Sequence, residues 1–170
     1  MNRNIEIKFK PKNYDEVFYL ARKKSDSDPE VFKQEDIFYG TKTGRLKLRK
    51  LSPTEGQLIH YDRPNEKGPK TSKFDIFKTK EPNLLHSILS KSNYIVGYVK
   101  KERTLLMIGN SRIHFDKVES LGYFAEIEVV LTDKQTEKEG RKIMDNLIEE
   151  LNIDRNDLIK CSYIDLILNQ

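Results

Sequence analysis

The sequence predicts an α+β fold in which an antiparallel sheet or barrel carries peripheral helices. Most of the chain alternates between apolar and polar residues with a period of two, which is typical of strands with one buried face. At least seven such segments follow one another and are joined by short turns, which favours antiparallel pairing. The 170 residues contain no internal repeat and no linker, so we expect a single domain over residues 1–170.

The strand candidates are spread along the whole chain. The first has Ile5, Ile7 and Phe9 on one face. Its other face carries Glu6 and Lys8. The remaining candidates cover residues 31–39, 45–49, 57–63, 71–78, 94–108, 112–118 and 123–131.

Three helices are predicted around these strands. Asn13 is placed to cap a helix over residues 14–24. A short helix is expected over 82–89, and Thr136 is placed to cap one over 137–151 whose first turn is acidic.

The composition excludes several classes of protein. The chain is 36% hydrophobic and 34% charged, and no segment approaches the roughly 20 apolar residues of a membrane span. The amino terminus has no apolar signal-peptide core. The single cysteine, Cys161, rules out an internal disulfide and a thiolate-rich zinc site, so we expect a cytoplasmic protein. A net charge of +4 permits binding of a polyanion without identifying one.

Like charges collect on single strand faces. Cationic faces carry Arg45, Lys47 and Arg49, and Lys101 with Arg103; an acidic face carries Glu126 and Glu128; a mixed face carries Arg112, His114 and Asp116. Same-face neighbours on a strand lie about 7 Å apart, so like charges arranged in this way repel one another. One interpretation is that these faces are solvated. The other is a closed barrel with a polar lumen, in which cations hold a polyanion and carboxylates hold a divalent metal.

The candidate metal ligands are hard oxygen donors, because the chain has three histidines and one cysteine. We identify Glu6, Asp116, Glu126 and Glu128 as ligands suited to Mg²⁺ or Mn²⁺. His114 is expected to have a supporting role rather than to relay a proton. Arginine and lysine are suited to phosphate, and cations combined with a metal site are typical of phosphoryl transfer.

Several motifs then occur in a fixed order along the chain. They are Asn4-Ile5-Glu6-Ile7-Lys8, Gln34 with Asp36, the basic strand from Arg45 to Arg49, Lys101 with Arg103, Arg112 with Asp116, Glu126-Ile127-Glu128, and Ser162-Tyr163-Ile164-Asp165-Leu166. In these motifs the sequence resembles the CYTH superfamily, the triphosphate tunnel metalloenzymes, which include class IV adenylyl cyclases and thiamine triphosphatases. The resemblance covers nearly the whole chain.

The resemblance implies an eight-stranded antiparallel β-barrel tunnel with a polar, charged lumen and peripheral helices. It implies that a triphosphate is held by Lys8, Arg45, Lys47, Arg49, Arg63, Lys101, Arg103 and Arg112, of which Lys8 and Arg112 are the catalytic candidates. The four carboxylates would then bind Mg²⁺ or Mn²⁺. Asn4 departs from the family pattern, which has Glu at this position. A neutral amide is a weaker ligand, so either one metal site is weaker or the metal requirement differs.

Two reactions fit such a tunnel. The resemblance implies first a class IV adenylyl cyclase-like reaction, which converts ATP to cyclic AMP and pyrophosphate. The alternative is a triphosphatase that hydrolyses tripolyphosphate, thiamine triphosphate or a nucleoside triphosphate. Tyr39, Tyr61 and Phe74 are candidates for stacking on a base. A third alternative is a non-catalytic module that binds polyphosphate or RNA, although its carboxylates would repel a polyanion without metal. We expect a small triphosphate as the partner, in preference to nucleic acid or a membrane, and a monomer or homodimer.

Overall fold

Eight antiparallel strands close into a barrel in the computed structural model, which describes residues 2–62 and 64–170. The strands are β1 (Asn2–Phe9), β2 (Glu30–Tyr39), β3 (Arg45–Ser52), β4 (Glu55–Asp62), β5 (Lys70–Thr79), β6 (Ile95–Ile108), β7 (Ser111–Val118) and β8 (Gly122–Val130). Their order around the barrel is β5-β4-β3-β2-β6-β7-β8-β1, and pairing of β1 with β5 closes it. A two-residue strand, β9 (Leu158–Ile159), pairs with the end of β1. The predicted eight-stranded barrel is confirmed.

Four helices surround the barrel in the described part of the chain. They are α1 (Tyr14–Lys24), α2 (Pro82–Ser92), α3 (Glu137–Glu150) and α4 (Tyr163–Leu168). The Asn13 side chain caps α1 by accepting from the backbone N–H of Glu16, and Thr136 forms a capping box with Glu139 at the start of α3, as the sequence predicts. Helix α4 was not predicted. None of the described helices is both long and apolar enough to cross a membrane.

The main apolar core lies on the outside of the barrel wall. Ile5, Ile7 and Phe9 of β1 are buried beneath α1 and α3, where they share a cluster with residues such as Val17 and Met144. Because side chains alternate along a strand, the charged face of β1 points into the lumen. The packing therefore places the apolar face of the strand under helices and its charged face inside the barrel.

Strand register brings the charged residues of separate motifs side by side. Glu6 pairs with Glu128 between β1 and β8, and Lys8 pairs with Glu126. On the far side of β8, Arg112 of β7 pairs with Glu128. Charges that are far apart in sequence consequently share one short section of the barrel.

Candidate active site

The barrel encloses a cavity of about 510 Å³, which lies within the usual size range of small-molecule sites. Cations outnumber carboxylates among the described residues that line it. The cations are Lys8, Lys47, Arg49, Lys78, Lys101, Arg103 and Arg112, and the carboxylates are Glu6, Asp36, Glu126 and Glu128. A polyanion is the kind of ligand that this excess of positive charge attracts.

The lumen has chemically distinct walls. Three of the four lining carboxylates come from the adjacent strands β1 and β8, and the fourth, Asp36, comes from β2. Most of the cations come from β3, β6 and β7. The strand order places β1 across the barrel from β2, and β8 across from β3. Strands β4 and β5 complete the circle with an apolar sector that includes Ile59, Tyr61, Phe74 and Ile76.

Three carboxylates form a compact acidic cluster in the lumen, which we call the acidic cluster below. Oxygen atoms of Glu6, Glu126 and Glu128 all lie within 4.8 Å of one another. Glu6 and Glu128 face each other directly across neighbouring strands, an arrangement that destabilises a sheet when both side chains are charged. A divalent cation with hard oxygen ligands would relieve this repulsion, so the acidic cluster fits Mg²⁺ or Mn²⁺.

Cations hold Glu126, one member of the acidic cluster, in its ionised form. Glu126 lies 3.2 Å from Lys8 Nζ and accepts a hydrogen bond of 2.8 Å from Arg103 Nη2. Burial by itself would raise the pKa of Glu126, but the charges of Lys8 and Arg103 outweigh it and hold that pKa well below its usual range. Glu126 is therefore available as a charged metal ligand at neutral pH.

Asp36 organises the cationic wall opposite the acidic cluster. Its carboxylate accepts two hydrogen bonds from Arg49, of 2.8 and 2.9 Å, and one of 3.0 Å from Lys47. Lys101 Nζ lies 4.0 Å away. Burial would raise the pKa of Asp36, but Arg49, Lys47 and Lys101 together hold it well below its usual range. A single buried anion thus fixes the positions of three predicted phosphate ligands.

Asp116, predicted as a metal ligand, lies outside the acidic cluster. It is 0% exposed and accepts hydrogen bonds of 2.6 and 2.7 Å from Arg103 and one of 2.7 Å from the Tyr163 hydroxyl. The strand register explains this difference, because Asp116 stands opposite Arg103 and not beside the carboxylates. Its contacts indicate that Asp116 positions Arg103 instead of coordinating a metal.

The remaining predicted residues divide into two groups. Six of the predicted phosphate ligands line the lumen, and their contact with a phosphate stays a prediction; they are Lys8, Lys47, Arg49, Lys101, Arg103 and Arg112. Arg112 Nη1 lies 3.5 Å from Glu128 Oε2. The Arg112 side chain is 43% exposed, so its guanidinium is accessible to a ligand. Arg45 is not among the described residues that line the cavity; it donates to Ser162 and to Asp165, the latter at 2.8 Å. Arg63 lies outside the described residues.

The structure also identifies lumen residues for which no role is predicted from sequence. The buried ring of Tyr163 lies 3.8 Å from Lys8 Nζ, measured to the ring centroid, while its hydroxyl bonds Asp116. Gln34, Gln57, Ser72 and Lys78 also line the cavity. The position of Tyr163 in the terminal motif was the one available signal for its importance. Of the aromatic candidates, Tyr61 and Phe74 line the lumen, whereas Tyr39 is buried outside it and bonds His86.

Comparison with family models matches the CYTH domain over residues 2–163. The chain belongs to the CYTH domain family. CYTH proteins are in general metal-dependent enzymes that process triphosphates, and the charged lumen and acidic cluster have the composition that this chemistry needs. A search of the curated proteins found no significant match.

Solved structures confirm the fold. The PH1012 protein of Pyrococcus horikoshii OT3 is 22% identical, with a TM-score of 0.81 over 96% of this chain and 98% of that one. A candidate adenylate cyclase of Vibrio parahaemolyticus is 23% identical, with a TM-score of 0.77 over 98% of both chains. A candidate adenylyl cyclase of Hippeastrum, described as having a dominant triphosphatase activity, is 12% identical, with a TM-score of 0.68 over 99% and 96%. At these identities the likeness establishes the architecture.

Proposed function

We propose that this CYTH protein is a metal-dependent triphosphatase that hydrolyses a triphosphate held in its lumen. The observation that carries the proposal is the position of the acidic cluster inside a cavity whose described lining carries more cations than carboxylates. Hydrolysis of a triphosphate needs a metal site, a water molecule and neutralisation of phosphate charge. The acidic cluster and the cations of the lumen support the first and the third of these needs.

The acidic cluster defines the reacting end of the site. Mg²⁺ or Mn²⁺ bound there by Glu6, Glu126 and Glu128 would supply positive charge and lower the pKa of a bound water. Lys8 lies next to Glu126, and Arg112 lies next to Glu128. Both cations are therefore placed to stabilise the negative charge that develops on a phosphate beside the metal.

The cationic wall holds the rest of the triphosphate. Arg49 and Lys47 are fixed by Asp36, and Arg103 is fixed by Asp116, so their donors are ordered before a ligand enters. Donors that are held in place in advance lose less conformational entropy when the phosphates bind. Lys101, between the two buried carboxylates, lies on the same wall, although burial and the neighbouring Arg103 hold its pKa well below its usual range.

Cyclisation of ATP is the second candidate, and one feature favours it. Tyr61 and Phe74 pair across β4 and β5, and both line the lumen. Aromatic rings in such a position can stack on an adenine base. The Vibrio neighbour is described as a candidate adenylate cyclase, which supports this reaction, whereas the dominant triphosphatase activity of the Hippeastrum neighbour supports hydrolysis.

Phosphorus NMR separates the two reactions. The protein is mixed with ATP or tripolyphosphate and with Mg²⁺ or Mn²⁺, with EDTA as the control. Release of orthophosphate, with tripolyphosphate consumed before ATP, is expected. Cyclic AMP and pyrophosphate as the main products would establish the cyclase instead, and no turnover with either metal would contradict both reactions.

A matched pair of variants tests the acidic cluster. Glu126→Gln should lower turnover by at least ~10–100-fold. This is the loss observed when a residue that only supports a metal ligand is replaced, and Glu126 is itself a proposed ligand. The control is Glu119→Gln, which removes an exposed carboxylate outside the lumen and should leave turnover unchanged. Equal activity of the two variants would show that the acidic cluster takes no part in the reaction.

A further inference from the structure

His114 is a lumen residue that the proposed function does not use. It lies on β7, lines the cavity and is 5% exposed. Neither of its ring nitrogens makes a well-formed hydrogen bond with the described residues, and Nε2 approaches Glu128 Oε2 only at 3.4 Å. A buried imidazole without a well-formed hydrogen bond is unfavourable, because it has lost its hydrogen bonds to water and gained none of comparable strength. The ring is therefore expected to have a partner when the site is loaded.

The position of the ring indicates that this partner is a metal ion. His114 pairs with Glu126 in the register of β7 and β8, and its Nε2 lies 3.4 Å from Glu128 Oε2 without hydrogen-bond geometry. Two neighbouring ligands of an octahedral ion, each bound at about 2.1 Å, lie about 3 Å from one another. The spacing of the nitrogen and the Glu128 oxygen is close to that of two ligands on one ion. The nitrogen is not within 4.8 Å of all three carboxylates, so side chains of the site must shift when the ion binds.

We propose that His114 Nε2 is a fourth ligand of the metal held by the acidic cluster, and that it makes the site prefer a first-row transition ion such as Mn²⁺ over Mg²⁺. The proposal rests on the metal site of the proposed function. Mg²⁺ is bound almost entirely by oxygen, whereas imidazole nitrogen gives added affinity to transition ions. A single nitrogen ligand therefore changes the selectivity of an otherwise all-carboxylate site.

Asn4 supports the same conclusion from the opposite direction. Its amide is buried at the lumen, and Oδ1 has no hydrogen-bond partner among the described residues. It stands two residues before Glu6 on the same face of β1, where the family pattern has a carboxylate. Losing one negative charge weakens a site for Mg²⁺, whereas a nitrogen ligand compensates for a transition ion.

Pulsed EPR on the full chain with Mn²⁺ alone tests the proposal. Imidazole bound to Mn²⁺ produces a ¹⁴N modulation of the electron spin echo. In the wild-type protein, labelling the histidines with ¹⁵N should replace the ¹⁴N modulation by that of ¹⁵N. The signal should persist in His60→Gln and disappear in His114→Gln. His60 is the matched control, because its Nε2 contacts the Thr43 carbonyl at 2.9 Å and it is not among the described residues lining the cavity.

Metal affinity provides the second readout. Relative to wild type, His114→Gln should bind Mn²⁺ about 10-fold more weakly and Mg²⁺ less than about 2-fold more weakly, as measured by calorimetry. Equal losses for both ions would overturn the proposed selectivity. Bound Mn²⁺ without nitrogen modulation, or no Mn²⁺ binding, would overturn the assignment of His114 as a ligand. A nitrogen signal without turnover of any triphosphate would instead contradict the proposed function and leave the ligand in place.

Discussion

Lys47 carries a charge in the lumen that depends on pH near neutrality. Burial, reinforced by the neighbouring Arg49, lowers its pKa to about 8, although Asp36 acts in the opposite direction. The side chain is therefore a cation below pH 8 and becomes neutral as the pH rises above it. A neutral amine no longer forms a charge-assisted hydrogen bond with phosphate.

The affinity for tripolyphosphate should consequently fall about 10-fold between pH 7 and pH 9.5, because a hydrogen bond to a charged group contributes about 1.5–3 kcal/mol. Calorimetry on Glu126→Gln measures this binding without turnover. Lys47→Arg is the control, since a guanidinium keeps its charge over this range and the ligand ionises identically in both proteins. Parallel pH profiles for the two proteins would show that Lys47 does not bind the phosphates.

Asn4 is the second residue whose role can be isolated. Asn4→Glu places a fourth carboxylate beside Glu6 and should tighten Mg²⁺ binding by about 10-fold, since the affinity of hard-cation sites rises with ligand charge. The same substitution adds like-charge repulsion, so the variant should unfold at a lower temperature than wild type in EDTA. Calorimetry and thermal unfolding measure the two effects. The control is Asn4→Gln, which has the length of Glu but keeps the neutral amide. If Asn4→Glu left the Mg²⁺ affinity unchanged, position 4 would lie beyond reach of the metal.

At the scale of the element, α4 depends on contacts with the barrel. A helix of six residues is too short to be stable by itself. Its start is fixed by the capping box of Ser162 and Asp165, and Asp165 is paired with Arg45 of β3 at 2.8 Å. Tyr163 is the residue directly after Ser162, and its ring lies against Lys8. The capping box and the pair with Arg45 therefore also set the position of this aromatic ring in the lumen.

Arg45→Ala should therefore release α4 more than it weakens triphosphate binding. The pair is 23% and 27% exposed, so we expect a loss of about 1 kcal/mol of stability and a melting temperature lower by about 2–4 °C. Hydrogen exchange should increase over residues 163–168, and the affinity for tripolyphosphate should fall less than in Arg49→Ala. The control is Arg22→Ala, which breaks a pair with the exposed Asp28. A loss of affinity equal to that of Arg49→Ala would restore Arg45 as a phosphate ligand.

The elements also show what could be learned from sequence. Strict alternation in β1 and β3 identified the strands and their charged faces, because the period of two is a local property. Alternation does not reveal which face is inside, and this information came from the ordered motifs. The pairing of Asp116 with Arg103 depends on the register between β6 and β7, which no local pattern specifies. Helix α4 was missed because its six residues are too few to establish helical periodicity.

For the whole molecule, the acidic cluster and the excess of cations share one lumen and are linked by ion pairs, such as those of Lys8 and Arg103 with Glu126. The acidic cluster on β1 and β8 repels itself, and cations exceed carboxylates among the described residues of the lumen. A metal ion bound by Glu126 would free Lys8 and Arg103 to contact phosphate, and a phosphate that attracts these two cations would free Glu126 to bind the metal. A metal ion and a triphosphate should therefore stabilise the fold cooperatively, each binding more tightly when the other is present.

Thermal unfolding measures this coupling directly. With Mn²⁺ and the non-hydrolysable analogue imidotriphosphate, each at about 100 times its dissociation constant, a single ligand contributes about 2.7 kcal/mol of stability. For a chain of this size that corresponds to a rise of about 5–10 °C in melting temperature. The two ligands together should raise the melting temperature by more than the sum of their separate effects. In Glu126→Gln the combined rise should equal that sum, because Glu126 lies beside both Lys8 and Arg103. Strictly additive shifts in wild type would mean that metal and triphosphate occupy independent sites and that the barrel does not bring them together for reaction.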